Sequence, residues 1–271
     1  MKFSLLLDSK LPKSILTILF IYHFWHNFAT EKFKKKMANN YFQFKKFTIV
    51  QDGCAMKVGT DGCLLGGWFD CSQSKRILDI GSGSGLIAIM AAQRCNADIT
   101  GIEIDCDAAN QAIENVSNSP WNNRISIINK DLLQFSTEER FDTIVSNPPY
   151  FVNSLKCDDT ARTTARHNDT LNNCDFFKKC RELLTDHGKV SIIIPCDLST
   201  DWQRVAEEYG FTTSRITFIK TTPKKVAKRV LIEFSLCDNC KREENTLVLE
   251  NSRGVYSDEA QEILRDFYLK L

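Results

Sequence analysis

The sequence predicts an α/β protein: a mostly parallel sheet, helices on both faces, and an antiparallel hairpin at the sheet edge. Three observations carry that expectation. Arg76-Ile77-Leu78-Asp79-Ile80 is an apolar strand that runs straight into Gly81-Ser82-Gly83-Ser84-Gly85 and then an apolar-periodic helix. Two further apolar runs finish close to an acid, Glu103 and then Asp131. A fourth, Phe141 to Val145, finishes on Ser146-Asn147-Pro148-Pro149-Tyr150. Strands alternating with helical patterns build parallel sheets, and ligands of open α/β sheets bind at the carboxyl ends of their strands. The polar residues just named all fall at such ends.

With 271 residues the chain can bury one large core or two modest ones, and its 43% hydrophobic and 25% charged content is that of a soluble globular enzyme. The net charge of +1 excludes a whole-protein electrostatic signal for nucleic acid, so any such signal must be local. The 11 cysteines are scattered without framework spacing. Cys237-Asp238-Asn239-Cys240 is the one CxxC, with no second pair and no histidine beside it. No metal site is expected; free thiols in a reducing, cytoplasmic setting are.

The first 36 residues differ in character from the rest. Ile15 to Ala29 is apolar but broken by Thr17, His23, His26 and Asn27, too short and too polar for a membrane span. The basic cluster Lys32, Lys34, Lys35 and Lys36 follows where a signal peptide would show a small-residue cleavage site. A cryptic signal, an amphipathic anchor and an upstream start codon are all open readings. The last is preferred: 1–36 a non-native or disordered extension, 37–271 a single domain.

From Tyr41 the elements follow in order. Tyr41, Phe42, Phe44 and Phe47 alternate with Gln43, Lys45 and Lys46, as in a strand or extended arm. Between Glu31 and Phe47 six lysines against one glutamate give +5, which suits either an RNA phosphate contact or a solvated basic face. Lys57 to Trp68 contains a short helix that Thr60 or Asp61 can cap, its free N–H groups suited to a ligand carboxylate. After the glycine loop come a helix from Leu86 to Arg94, a strand Asp98 to Ile102, a helix Asp105 to Asn118 and a strand Arg124 to Ile128. A helix-length gap then leads to the Phe141 strand. Phe151 to Leu171 is a long polar connection carrying Arg162, Arg166 and His167, which points to a substrate loop. Asn173 to Thr185 and Asp201 to Tyr209 read as helices around a strand Val190 to Pro195. Phe211 to Ile219 and Arg229 to Leu236 can pair antiparallel at the edge. The loop between them, Lys220 to Arg229, holds five cations and no acid. It suits a phosphate clamp or a lysine-protected sheet edge. Tyr256 to Leu271 reads as an amphipathic helix packing through Ile263, Leu264, Phe267 and Tyr268.

The chemistry follows from residue types at these ends. Glycines at Gly81, Gly83 and Gly85 let the backbone pass close under a ligand, although Leu86 stands where the dinucleotide fingerprint has a glycine. Glu103 can accept both hydroxyls of a ribose; Asp131 can accept from an adenine amine, and the Leu132 N–H can donate to a ring nitrogen. In Asn147-Pro148-Pro149-Tyr150 each proline lacks an N–H, so the corner is rigid and rich in acceptors. It can hold a planar NH2-bearing group by two accepted hydrogen bonds while Tyr150 stacks on the ring.

Together the Asp79-to-Gly85 loop, Glu103, Asp131 and the Asn-Pro-Pro-Tyr corner resemble class I, Rossmann-like methyltransferases that modify an amine nitrogen. Lys57 to Trp68, Ala165-Arg166-His167 and Asp266-Phe267-Tyr268-Leu269 resemble, more narrowly, the bacterial tRNA-1(Val) adenine-37 6-amino methyltransferase family, over about 37–271. The resemblance implies S-adenosylmethionine as cofactor, tRNA as partner, and methyl transfer to the exocyclic amine of an anticodon-loop adenosine, with no membrane and no stable protein partner. It assigns catalysis to Asn147, Pro148, Pro149 and Tyr150. The cofactor is then expected at Thr60, Asp79, Gly81, Gly83, Gly85, Glu103, Asp131 and Leu132. RNA is expected at Lys45, Lys46, Arg162, Arg166, Lys224, Lys225, Lys228 and Arg229. Three rivals remain. A glutamine methyltransferase acting on release factors shares the corner, but Phe151 to Asp159 lacks the Glu-Pro stretch of that family. A ribosomal RNA or DNA adenine methyltransferase would use the same pocket. A non-catalytic RNA-binding module would need neither Asn147 nor the glycine loop intact.

Overall fold

The computed structural model describes residues 40–54, 56–149, 171–237 and 241–271. The expectations for residues 1–36, for Tyr150 and for the loop of Arg162, Arg166 and His167 lie outside these residues. Tyr41 to Leu271 forms one compact unit.

The aromatic stretch after Asn40 folds back on itself. β1 (Tyr41–Gln43) and β2 (Thr48–Val50) pair antiparallel, and Phe44 and Phe47 stack at 4.5 Å as they enter the core. Apolar burial, not extension into solvent, decides the shape of this arm. α1 (Thr60–Trp68) follows. Its N-cap is Gly59 with no side-chain hydrogen bond, so neither Thr60 nor Asp61 caps it as expected.

Next comes the alternating α/β series: β3 (Arg76–Ile80), α2 (Leu86–Arg94), β4 (Asp98–Glu103), α3 (Cys106–Ser117) and β5 (Ile125–Asn129). The helix-length gap after β5 holds only a 3-10 turn, Leu132–Gln134, before β6 (Phe141–Ser146). Beyond residue 170 come α4 (Asn173–Leu183), β7 (Leu184–Pro195), α5 (Ser199–Glu208), β8 (Thr212–Lys220) and β9 (Arg229–Ser235). The chain ends in β10 (Glu243–Val248), a small β11 (Glu250–Ser252) and β12 (Val255–Tyr256) pair, and α6 (Asp258–Leu264). α6 is shorter than the expected tail helix, yet Leu264 and Phe267 are buried.

The eight-stranded sheet has the order β10-β8-β9-β7-β6-β3-β4-β5. β9 alone runs against the rest: it pairs antiparallel with both β7 and β8, while β10 joins β8 in parallel. β10 adds a strand beyond the antiparallel pair, and its polar text explains why the sequence pattern does not reveal it. Among its six residues only Leu247 is buried. Successive residues on a strand face opposite sides, which splits the core in two. Ile77, Ile99, Val145 and Ile193 pack under α1, α2 and the β1–β2 hairpin. Leu78, Ile102, Ile144 and Ile192 pack under α4 and α5. The series β3, β4, β5 walks outward on one side, and β6 returns to the other side of β3. The resulting switch point lies between β3 and β6, and its crevice opens where their carboxyl ends part.

Candidate active site

The register places the site residues on one edge. Ile80 pairs with Ser146, so Gly81 and Asn147 leave the sheet on adjacent strands, about 5 Å apart. The Ser146 hydroxyl donates to the Ile80 carbonyl at 2.8 Å, holding the two ends together. Ile80 also pairs with Ile102, which puts Glu103 on the other side of the glycine loop, and Glu103 pairs with Asn129, two residues before Asp131.

The glycine loop is tied down by its own backbone. Gly81 and Ser82 N–H groups donate to Ile102 O at 2.9 and 3.0 Å, and Gly85 N–H donates to Ser82 O at 2.8 Å. Gly81, Gly83 and Gly85 all have positive φ, at 70°, 54° and 79°. Side chains rarely tolerate that region. A Cβ added at Gly81 would meet nothing within 4 Å, and one at Gly83 only Gly81 O at 4.0 Å. The conformation therefore requires glycine, and the space in front of it is open to a ligand.

Carboxylates flank that space. Glu103 accepts from Gly83 N–H at 2.8 Å through one oxygen and from Asp105 N–H at 3.0 Å through the other, so loop and acid are one rigid piece. Each oxygen keeps a further lone pair for a ribose hydroxyl. Asp131 accepts from Leu133 N–H at 2.9 Å, capping the 3-10 turn that begins with Leu132. Asp79 is fully buried; one oxygen accepts from Ala88 N–H at 3.1 Å and the other has no partner among the described residues. Burial, and after it the nearby Glu103 charge, push its carboxyl up to about 7. The Ser82 hydroxyl is likewise buried and unpartnered among the described residues. Two orphaned buried polar atoms beside a glycine cradle fit a polar, cationic ligand such as S-adenosylmethionine.

At the Asn-Pro-Pro corner Asn147 is half-buried, Pro148 buried and Pro149 exposed. The carboxyl end of β7 continues the edge: Pro195 pairs with Arg229, so the basic loop between β8 and β9 emerges on the same side as Asn147. Lys224, Lys225 and Lys228 are exposed there. Arg229, expected to meet RNA, gives its Nε to Asp61 at 2.7 Å. That bond brings the start of α1, and with it Thr60, to this edge.

Lys45 and Lys46 are not brought there. Lys45 donates its backbone N–H to Phe267 O and its amine to Arg265 O, while Gln93, next to last in α2, donates to Asp266 O. The lysine turn thus lies at the far end of α2, about 13 Å along the helix from the glycine loop. Two residues of this edge, Ser82 and Ile104, are absent from the sequence expectations. Ile104 is 59% exposed and directly follows Glu103, where an apolar wall for a base would stand. The signal was available: an isoleucine beside an acid at a strand end.

Comparison with known proteins agrees with this geometry. The methyltransferase small domain model matches residues 56–204. A tRNA1(Val) (adenine(37)-N6)-methyltransferase of Bacteroides fragilis is 47% identical over 239 residues, covering 87% of this chain and 100% of the relative. A protein of the same name from Vibrio campbellii is 38% identical, covering 85% and 96%. Among solved structures, a predicted O-methyltransferase of Agrobacterium tumefaciens superposes with a TM-score of 0.62 at 18% identity, covering 76% of this chain and 96% of that one. A T. thermophilus 16S rRNA methyltransferase in complex with AdoMet and guanosine gives 0.51 at 20% identity, covering 72% and 49%. These two share the class I methyltransferase fold. The chain itself belongs to the tRNA1(Val) (adenine(37)-N6)-methyltransferase family.

Proposed function

We propose that this protein methylates the exocyclic 6-amino group of an anticodon-loop adenosine in tRNA, adenosine 37 of a valine tRNA by its family, using S-adenosylmethionine. The observation that carries the reading is the seating of Asn147-Pro148-Pro149 on the strand next to the glycine loop, at the switch point of the sheet.

When bound, S-adenosylmethionine supplies a sulfonium methyl as the electrophile. Gly81, Gly83 and Gly85 would let it lie against the backbone, Glu103 would hold its ribose, and Asp131 with the Leu132 N–H would read its adenine. Asp79 and Ser82 would face its polar end. The protein's own work is at the target amine. An adenine NH2 is a poor nucleophile because its lone pair is delocalised into the ring. Accepting hydrogen bonds from its two N–H groups at the Asn147 side-chain carbonyl and the Pro148 carbonyl would favour a pyramidal nitrogen. Stacking on Tyr150 would hold the ring, and in-line placement supplies much of the rate. The proton leaves to water after the attack, so no general base is required. An anticodon loop already has bases that splay out, so the pocket need not open a duplex. Lys224, Lys225 and Lys228 would meet the backbone phosphates. Among the described residues no helix is long and apolar enough to cross a membrane, and all nine cysteines carry free thiols. We place the protein in the cytoplasm with its tRNA.

Methyl-labelled S-adenosylmethionine offered with unmodified total tRNA, and in parallel with purified release factor, tests the reading. Label recovered as 6-methyladenosine in an anticodon-loop fragment is the expected result. Label in glutamine, or in neither substrate, overturns it.

A further inference from the structure

The basic loop between β8 and β9 is held at its base from three sides. The Cys196 N–H donates to Lys228 O at 3.2 Å, from the end of β7. The Leu249 and Glu250 N–H groups donate to Lys220 O and Thr221 O at 2.7 and 3.0 Å, from the end of β10. The third hold is the Asp61–Arg229 ion pair, which spans 168 residues of sequence and is about two-thirds shielded from water. Above this base, Pro223, Lys224, Lys225 and Val226 project into solvent, and Val226 is 76% exposed.

α1, which carries Asp61, is braced at its other end as well. The Trp68 indole N–H donates to Thr217 Oγ1 on β8 at 3.1 Å, and Arg215 of β8 lies 3.8 Å over the Trp68 ring. On its opposite side α1 lies close on α2. A Cβ at Gly62 would come 3.1 Å from Leu86 Cδ2, and one at Gly66 2.6 Å from Met90 Sδ. Leu86 is the first residue of the helix that follows the glycine loop. One short helix thus joins the cofactor side of the edge to the foot of the basic loop.

Resting on the tRNA reading above, we propose that Asp61 and Arg229 are positioning residues: their ion pair orients the Lys224-Lys225-Val226 tip toward the RNA, and Arg229 itself contacts no phosphate. Arg229 is neutralised by a carboxylate, so it adds little to counterion release. Lys224, Lys225 and Lys228 supply that term. An apolar tip among cations suits the face of an unstacked base while the lysines meet its flanking phosphates.

The test compares Asp61→Asn, Arg229→Gln, the charge-exchanged pair Asp61→Arg with Arg229→Asp, and Lys224→Gln, all in the full chain. Methylation of tRNA is measured across a salt series, with cofactor affinity measured separately. Both single changes at the pair are expected to raise the tRNA KM roughly tenfold at constant cofactor affinity, and the exchanged pair to recover most of it. The salt slope of KM should stay unchanged in Arg229→Gln and fall by about 0.7 in Lys224→Gln. Hydrogen exchange at the Cys196 and Lys228 amides, read without any substrate, should speed up in each single variant and slow again in the exchanged pair. Equal loss of slope in Arg229→Gln and Lys224→Gln, or an exchanged pair no better than either single variant, overturns the proposal. If the parent protein ignores tRNA, the function above fails, and hydrogen exchange alone then decides whether the pair orders the loop.

Discussion

Replacing Asp79 by asparagine keeps the size of the side chain and the bond to Ala88 N–H while removing one titrating group from the glycine loop. In the folded protein that carboxyl is pushed from its ordinary 3.8 to about 7, first by burial and then by the Glu103 charge. At pH 6 about one molecule in eleven then carries the carboxylate, and at pH 8 about ten in eleven. If the unpartnered oxygen serves a cationic cofactor, apparent affinity for S-adenosylmethionine should be about tenfold weaker at pH 6 than at pH 8. Stability without cofactor runs the other way. The folded-state value lies above the unfolded one, so the unfolded chain loses its proton first as pH rises. Stability is fully present below about pH 4 and is lost progressively up to about pH 7, by on the order of 4 kcal/mol for a shift of about three units. Calorimetric titration at pH 6, 7 and 8, with urea unfolding at pH 4.5 and 8, reads both effects. Asp79→Asn should flatten both pH dependences and hold the cofactor at pH 8 no more tightly than the parent does at pH 6. Any titration of the ligand itself is common to both proteins and cancels. A variant that keeps the parent's pH slope would refute the assignment of this carboxyl to the cofactor.

Asn147→Ala should abolish methyl transfer, by a hundredfold or more, while calorimetry shows cofactor affinity within about twofold; joint loss of both would make Asn147 structural instead. Gly101→Ala would place a Cβ 2.6 Å from Ile127 Cδ1 and 3.0 Å from Ser82 Cβ. The crowding should cost about 1–3 kcal/mol in urea unfolding and weaken cofactor binding through the displaced loop; unchanged binding would detach Ser82 from the site. Cys95 is held below the usual thiol range by the Cys71 thiol, the Ala97 backbone, Arg124 and Arg94, against a desolvation cost. At pH 7 limiting iodoacetamide should therefore alkylate Cys95 about tenfold faster than the more exposed Cys106 and Cys237, by peptide mass mapping. Preferential labelling of Cys106 would show that access outweighs thiolate character.

The glycine loop and the order of the alternating elements are legible in the amino-acid sequence because each is local. A strand period of two, a helix period near four and glycines at alternate positions are written within a few residues of one another. The same holds for Glu103, Asp131 and Asn147, whose meaning needs only that they end strands. β10 is not legible, because a strand that buries little more than Leu247 carries too little apolar text to be distinguished from loop. The tail reads as one long helix because Leu264 and Phe267 are buried at helical spacing, even though the helix ends at Leu264.

By itself the sequence determined the α/β class and the placing of the glycine loop, Glu103, Asp131 and the acceptor-rich corner at or just beyond strand ends, since all follow from the type and local spacing of residues. Only the tertiary structure decided which cations share an edge with that corner. Lys45 and Lys46 look equivalent to Lys224 and Lys225 in the sequence, yet burial of Phe44 and Phe47 carries the first pair to the far end of α2. Arg229 looks like its lysine neighbours in the sequence, yet in the fold it pairs at 2.7 Å with Asp61, far away in the chain. Charge is a property of the residue, but the partner it meets is set by long-range packing, which no local pattern records.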